Sequence, residues 1–452
     1  MAAPRNSQSI QLVWFRSDLR TGDHPGLTAA VASGQPVLGL FLWPERWFAT
    51  GPLGIRRTGP WRARALRDAV TELREALHDL RIPLISRIGA PGPVASELAA
   101  ALAHSGYTKL TLHLQYEAYP EELRDADALL GGLKRAGLVV AQQLHDSQMM
   151  YDPASLPFSP EEMPDVYTDF RKAVEKRGHV PAPLPAPAAV DIGIPAGPWQ
   201  EPGWQQLPSV SELSGEEERQ PDPRTALPTG FGEQAAWERV KGWIWDGDNL
   251  RRYKETRNGL VGDAYSSKFS AYLALGTISA RAIAMEVGRY EQERVRNQST
   301  YWLLFELIWR DYYVYLARKY GSRLYQLAGP MRRSRRWKRD EQLFRRWCRG
   351  ETGEPFVDAG MRELDATGYT SNRARQVVAS FLSKDLRLPW TWGAAWFENR
   401  LVDYDPGSNW GNWAYVAGVG TDPRSDRRFN PVVQAERYDP DAEFRELWAS
   451  AG

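Results

Sequence analysis

The 452-residue chain has one cysteine, Cys348. That excludes an internal disulfide and any zinc site built from several thiolates, and it fits a reducing compartment. Histidine is scarce and unevenly spread: all six, at 24, 78, 104, 113, 145 and 179, precede position 180. Beyond that point a histidine metal site, a Ser–His–Asp triad and a His general base are all excluded. The longest apolar run, 37–43, has seven residues, far short of the ~20 a membrane helix needs. Residues 1–9 lack the apolar core of a signal peptide. A cytoplasmic protein with no membrane contact and no metal is the expectation. Phosphate signatures are missing too, with no G-x-G-x-x-G after the first strand pattern and no Gly-Lys-Ser/Thr loop. Net charge is only +1.

What is abundant is tryptophan, 19 residues, an awkward core filler because each indole N–H wants an acceptor. Hydrophobic residues make up 42% and charged residues 25%, a globular balance, and the length suggests two or three domains. Up to about 150, short apolar runs at 11–15, 36–43, 82–88, 109–116 and 138–144 alternate with helical patterns at 25–33, 58–80, 94–105 and 120–136. That alternation predicts a parallel sheet covered on both faces, with ligands beyond the strand ends. Eleven prolines between 181 and 228 read as an extended surface crossover. From 231 onward, apolar residues recur at helical spacing in 231–245, 270–288, 300–320, 340–349, 355–367, 371–386 and 392–402. The reading is an α/β domain (10–150), a linker (151–230) and an all-α domain (231–452). Gly276 to Ser279 should end one helix and cap the next, and Gly321 and Gly368 should end others.

With neither imidazole nor reactive thiolate, chemistry in the helical domain would have to come from a cofactor. Three segments are candidates. The run 332–339 (RRSRRWKR), followed by Arg345, Arg346 and Arg349, interleaves arginine with tryptophan and suits phosphate contact and base stacking; a solvated helix face is the alternative. The segment 403–413 packs two acids, two amides and two indoles into eleven residues, able to grip a heterocycle's edge or simply to form a hydrogen-bonded loop. Residues 265–270 (YSSKFS) open a helix with hydroxyls and a lysine, an anion site or a set of caps.

These segments, with 13–20 (VWFRSDLR), 253–258 (YKETRN), 306–311 (ELIWRD), 352–358 (TGEPFVD), 367–373 (TGYTSNR) and 379–382 (ASFL), resemble the photolyase/cryptochrome family, specifically its DASH branch. The resemblance covers nearly the whole chain. It implies a Rossmann-like antenna domain with a parallel sheet, and an all-α domain binding FAD. Tyr253, Ser266, Ser267, Lys268 and Ser270 would lie at the FAD phosphates, and Arg310 among the cofactor-binding residues. Arg375 and Asp403 would pair beside the ring system, Asp405 would face the ring edge or ribityl chain, and Asn409 would neighbour flavin N5. Trp413, Trp390 and Trp337 match the family's electron-transfer chain; three core aromatics is the alternative reading. Glu306, Trp309 and Asn372 match its pyrimidine-dimer pocket. Gln376 and Tyr415, standing where duplex-repairing relatives carry Met and Trp, resemble the DASH branch and imply a preference for single-stranded or looped DNA, since extrusion of a base is cheapest there.

The activity implied is light-driven splitting of cyclobutane pyrimidine dimers; a blue-light receptor without significant repair is the alternative. The absence of histidine beyond 179 speaks against the related (6–4) activity, and the chain's end about 40 residues after Trp413 against a signalling tail. A folate antenna, methenyltetrahydrofolate, touched by Glu117 is the default expectation, as is a monomer.

Overall fold

A computed structural model of the chain describes residues 8–450 apart from 191, 195, 196, 228, 425 and 426, and the backbone alone of 52 and 198. Part of the segment read for a signal peptide, and Pro228 at the linker boundary, lie outside the described residues.

Five strands, β1 (Gln8–Phe15), β2 (Val37–Trp43), β3 (Leu84–Ile88), β4 (Tyr107–Gln115) and β5 (Val139–His145), form one sheet in the order β3-β2-β1-β4-β5. Every pairing is parallel, as the alternating pattern predicts. Side chains of successive residues leave opposite faces. Val13, Phe15 and Phe41 enter one buried core with α1 (Pro25–Ala32) and α2 (Pro60–Asp79); Leu12, Trp14 and Leu40 enter another with α3 (Pro91–His104) and α4 (Pro120–Arg135). The expectation of cover on both faces fails at one edge. Along β5 most side chains are exposed, Val139 at 65% and Leu144 at 55%, because the flanking helices cover this edge incompletely, whereas β3 at the opposite edge is largely buried.

The helical domain is assembled around the long helix Gln298–Tyr320 and a second group comprising Pro355–Thr367, Asn372–Ser380, Trp390–Arg400 and Pro406–Ala417. Gly276 and Gly368 end their helices in the left-handed region, Gly321 ends its own at φ 52°, and the hydroxyl of Ser279 caps the next helix by accepting from the Ala282 N–H at 3.0 Å. Two readings need correction. The presumed linker contains a real helix, Tyr167–Arg177, whose Tyr167, Phe170 and Val174 are buried in the helical core; its apolar spacing is masked by six charged residues in eleven. The segment 403–413 is no loop either. Asp405 accepts from the Ser408 N–H at 2.6 Å and caps Pro406–Ala417, with proline at the first turn. Cap and proline start a helix that two glycines would otherwise disfavour.

The turn after β1 locks the two domains together. Leu19 N–H donates to the Leu275 carbonyl at 3.2 Å, Arg20 to that of Gly276 at 2.9 Å, and Asp23 pairs with Arg281 at 2.6 Å. Gly276 is obligatory there. Its φ is +70°, and a Cβ would lie 1.8 Å from the Ser17 carbonyl oxygen. Among the described residues no helix is long and apolar enough to cross a membrane.

Candidate cofactor and substrate cleft

A cleft of ≈ 1090 Å³ opens between the helix Gln298–Tyr320 and the helix Asn372–Ser380. Tyr253, Ser266, Ser267, Lys268, Ser270, Glu306, Arg310, Asn372, Arg375, Asp403 and Asp405 all line it. A second hollow of ≈ 580 Å³ shares Asn372, Arg375 and Asp403 with it and adds Gln376, Asn409 and Trp413. Five separate segments of sequence therefore converge on two adjoining hollows.

At one end, residues 265–269 loop into the six-residue helix Ser270–Leu275. Serine capping does not explain them: the residue before that helix is Phe269, and no side chain caps it. Arg239 instead pins the loop, donating to the carbonyls of Ser267 at 2.8 Å and Ser266 at 3.1 Å. Lys268 stands at φ 60° with its ammonium 3.2 Å from the Tyr265 ring centroid. The ammonium is buried and has no hydrogen-bond partner among the described residues. Burial pulls its pKa well below the ordinary lysine value, partly offset by Glu363. Glu363, buried behind it, accepts from the Thr370 hydroxyl at 2.5 Å. Burial pushes that carboxyl up to about 7, against the opposing pull of the Thr370 hydrogen bond and of Lys268.

In the middle, Arg375 donates to Asp403 Oδ2 at 2.9 Å and to the Thr370 carbonyl at 2.8 Å. Asp403 Oδ1 is buried without a partner among the described residues. Asp405 is more committed than expected, because its oxygens accept from the Ser408 N–H and, at 3.0 Å, from the Tyr119 hydroxyl of the α/β domain. Asn409 donates to the Ala394 carbonyl at 3.0 Å, which fixes its amide and turns its own oxygen free of that bond. A buried cation and a buried carboxylate oxygen, each lacking a partner, suit a ligand carrying both an acidic group and donor N–H groups. A dinucleotide flavin has both, so the residues present fit FAD.

The tryptophans grade from inside to outside. Trp413 is buried and lines the smaller hollow; its ring lies so close to Gly393 that a Cβ there would come within 2.2 Å. Trp390 is fully buried, donates to the Leu327 carbonyl at 3.0 Å and meets Trp410 edge-on at 5.8 Å. Trp337 is half-buried against the same core. Ring contacts of Trp413 are with Phe397 at 5.1 Å and Trp347 at 6.1 Å, two neighbours the sequence reading did not single out. The basic run around Trp337 is an irregular strap rather than a helix, with Arg332, Arg336, Lys338 and Arg339 exposed.

At the mouth, Glu306 pairs with Arg257 at 2.6 Å; burial raises its pKa and Arg257 partly restrains it. Asn372 is exposed at the first turn of its helix, and Gln376 accepts from Arg373 at 2.9 Å. Trp309 and Tyr415 are not among the residues lining either hollow; Trp309 meets Tyr415 edge to face at 5.9 Å, while Tyr167 lies flat on Trp309 with centroids 3.4 Å apart. The indole expected to pack on a substrate thus has an aromatic partner already. Tyr167, Arg257 and Glu363 escaped the sequence reading, because only the folded chain brings each to its partner; position 257 lies within a quoted motif but was not singled out.

Between the domains a separate cavity of ≈ 790 Å³ sits beyond the ends of β1, β2 and β4, walled by Trp14, Phe41, Trp47, Arg62 and Tyr404. Glu117 lines it, but its carboxylate is held by Arg16 at 3.3 Å and by the Ser17 hydroxyl. Among the described residues no cluster of His, Cys, Asp or Glu is arranged for a metal.

Comparison with known proteins gives a consistent picture. A family model described as DNA photolyase matches residues 11–188, and one for the FAD-binding domain of DNA photolyase matches 302–451. Cryptochrome DASH of Gloeobacter violaceus is 44% identical over 98% of this chain and 86% of its own length. The crystal structure of a Synechocystis cryptochrome superposes with a TM-score of 0.89 at 40% identity, covering 98% of this chain and 89% of that one. A bacterial class III photolyase from Agrobacterium tumefaciens superposes at 0.78 and 28% identity, covering 99% and 87%.

Proposed function

The chain belongs to the DASH branch of the photolyase/cryptochrome family, and from that premise we propose that it is a light-driven lyase splitting cyclobutane pyrimidine dimers, preferentially in single-stranded or looped DNA. The observation carrying the proposal is the shared cleft: Glu306 and Asn372 border the same space as the Lys268 ammonium and Asp403 oxygen, both unpartnered among the described residues, and Gln376 borders the adjoining hollow. FAD, when bound and reduced, supplies the photoexcitable electron. Everything else is binding and placement by this chain. Lys268, with Ser266, Ser267 and Ser270, would hold the diphosphate, with Tyr253 and Arg310 in the same wall; Arg375 and Asp403 would orient the ring system, Asp405 its edge or ribityl chain, and Asn409 the neighbourhood of N5. Trp413, Trp390 and Trp337 would connect the cofactor to the surface.

On the substrate side, Glu306 would accept a thymine N–H or, when protonated, donate to a carbonyl; burial raises its pKa while Arg257 opposes the shift. Trp309, Asn372 and Tyr415 would line the lesion pocket. Two ring bonds break, two C=C bonds return and no net electrons are consumed, so a domain without histidine lacks nothing the reaction requires. Gln376 and Tyr415 give the pocket a polar rim, which supports the preference for a lesion that need not be pulled from a duplex. A folate antenna in the interdomain cavity, a monomeric state and a cytoplasmic location belong to the same proposal.

The test is an illumination assay. Purified flavoprotein with reductant, blue light and an oligothymidine containing dimers should restore undamaged bases, faster in single strands than in duplex. Light-dependent flavin reduction without any repair of single strands would instead favour a receptor.

A further inference from the structure

The helix Gln298–Tyr320 carries more aromatic surface than the lesion pocket uses. Trp302, Phe305 and Trp309 recur at the three- and four-residue spacing that puts side chains on one helical face. The stripe therefore continues past Glu306 toward the start of the helix. Trp302 and Phe305 are only partly buried, with ring centroids 4.9 Å apart and planes tilted by 31°. Cations gather over them: the Arg257 guanidinium lies 5.0 Å and the Lys254 ammonium 5.1 Å from the Trp302 ring, and the Arg171 guanidinium 5.6 Å from that of Phe305. Arg257 also pairs with Glu306, so the stripe is continuous with the pocket mouth. Lys254 is held by the neutral side chain of Gln298, and its charge is left for an incoming anion.

A partly open indole under two cations, beside a pocket for a nucleobase lesion, has the composition that binds unpaired nucleotides: an aromatic face for the base and positive charge for its phosphate. We propose that Trp302, with Phe305, Lys254 and Arg257, forms an accessory stacking subsite for an unpaired nucleotide next to the lesion. The occupant is single-stranded DNA, because a base already stacked in a duplex offers no free face. This inference rests on the reading of the cleft as a dimer pocket and adds the strand's path outside it.

The experiment measures binding of holoprotein to dimer-containing oligothymidines from the bare dinucleotide to ten nucleotides, with flanks added on one side at a time. The wild type should gain affinity when one particular flank is lengthened. Trp302→Leu, or Lys254→Gln should the first fold poorly, should lose about tenfold of that gain. Trp237→Leu, an exposed indole on the helix Glu233–Val240, should keep it. A wild type indifferent to flank length, or a Trp302→Leu protein with undiminished gain, overturns the subsite while leaving dimer repair standing. If no dimer is repaired yet undamaged single strands still bind through Trp302, the subsite survives and the lyase reading falls.

Discussion

Arg375 and Asp403 form a half-satisfied pair: one carboxylate oxygen accepts the guanidinium at 2.9 Å, while the other is buried and bonded to nothing among the described residues. The pair serves stability and ligand binding with different atoms. Asp403→Ala should therefore do two things. It should destabilise the protein by about 2 kcal/mol, below the ~3–5 typical of breaking a fully buried pair because Arg375 keeps 23% exposure. It should also release flavin, so the purified variant emerges pale. Thermal unfolding and the absorbance of the supernatant after denaturation check both; a fully yellow variant would mean the free oxygen has no ligand.

Lys268 gives the opposite balance. An ammonium buried without an acceptor costs the cofactor-free protein stability, and an anionic ligand recovers it. Lys268→Met keeps contact with the Tyr265 ring through its thioether. The variant should raise the melting temperature of the apoprotein while weakening FAD about 10- to 100-fold, the worth of a charge-assisted hydrogen bond. Equal loss of both would make the lysine merely structural.

Much of this site was legible before folding, and the reason is local. Residues such as Lys268, Glu306 and Asn409 sit in short segments whose chemistry survives without coordinates, and Arg375 lies just past one of them. The strands of the sheet were equally legible, since a buried parallel strand reads as a continuous apolar run. What was hidden depended on long-range partners. The helix at 406–417 contains Gly407 and Gly411, and its propensity is overridden by the Asp405 cap and by Trp413 seated against Gly393. Tyr167 reaches Trp309 across a segment that reads as linker, and no periodicity announces such a contact. The exposure of β5 follows from how far the helices reach over that edge, since β3 at the other edge is largely buried, and no local pattern in the strand announces it.

Glu363 should make stability depend on pH in an unusual direction. Its carboxyl is raised to about 7, mainly by burial, so the folded state favours the protonated form. The contribution of this group is complete below the unfolded value near 4.5 and is lost as pH climbs through about 7. Glu363→Gln should thus stabilise the protein at pH 8 and change little at pH 4. Denaturant midpoints across that range decide; a difference that grows toward acid would show the carboxylate, not the acid, to be the favoured form.

Trp390 separates two uses of the flavin. It is fully buried, with one hydrogen bond to Leu327 and a place in the same core as buried Trp413 and half-exposed Trp337. Trp390→Phe keeps an aromatic side chain but replaces the indole with a smaller phenyl ring, losing one N–H donor worth about 1 kcal/mol and some packing; the fold should hold. If the indole is a relay, light-driven reduction of the oxidised protein by an external donor should slow more than tenfold, because a phenyl ring is much harder to oxidise. Splitting of dimers by protein reduced beforehand in the dark should be little changed, since that reaction returns its electron and draws none from the surface. Absorbance at the flavin band under steady blue light measures the first, and recovery of thymine absorbance measures the second. Loss of both together would mark Trp390 as a packing residue, and unimpaired photoreduction would send the electron by another path, for which Trp347, 6.1 Å from Trp413, is the first residue to change.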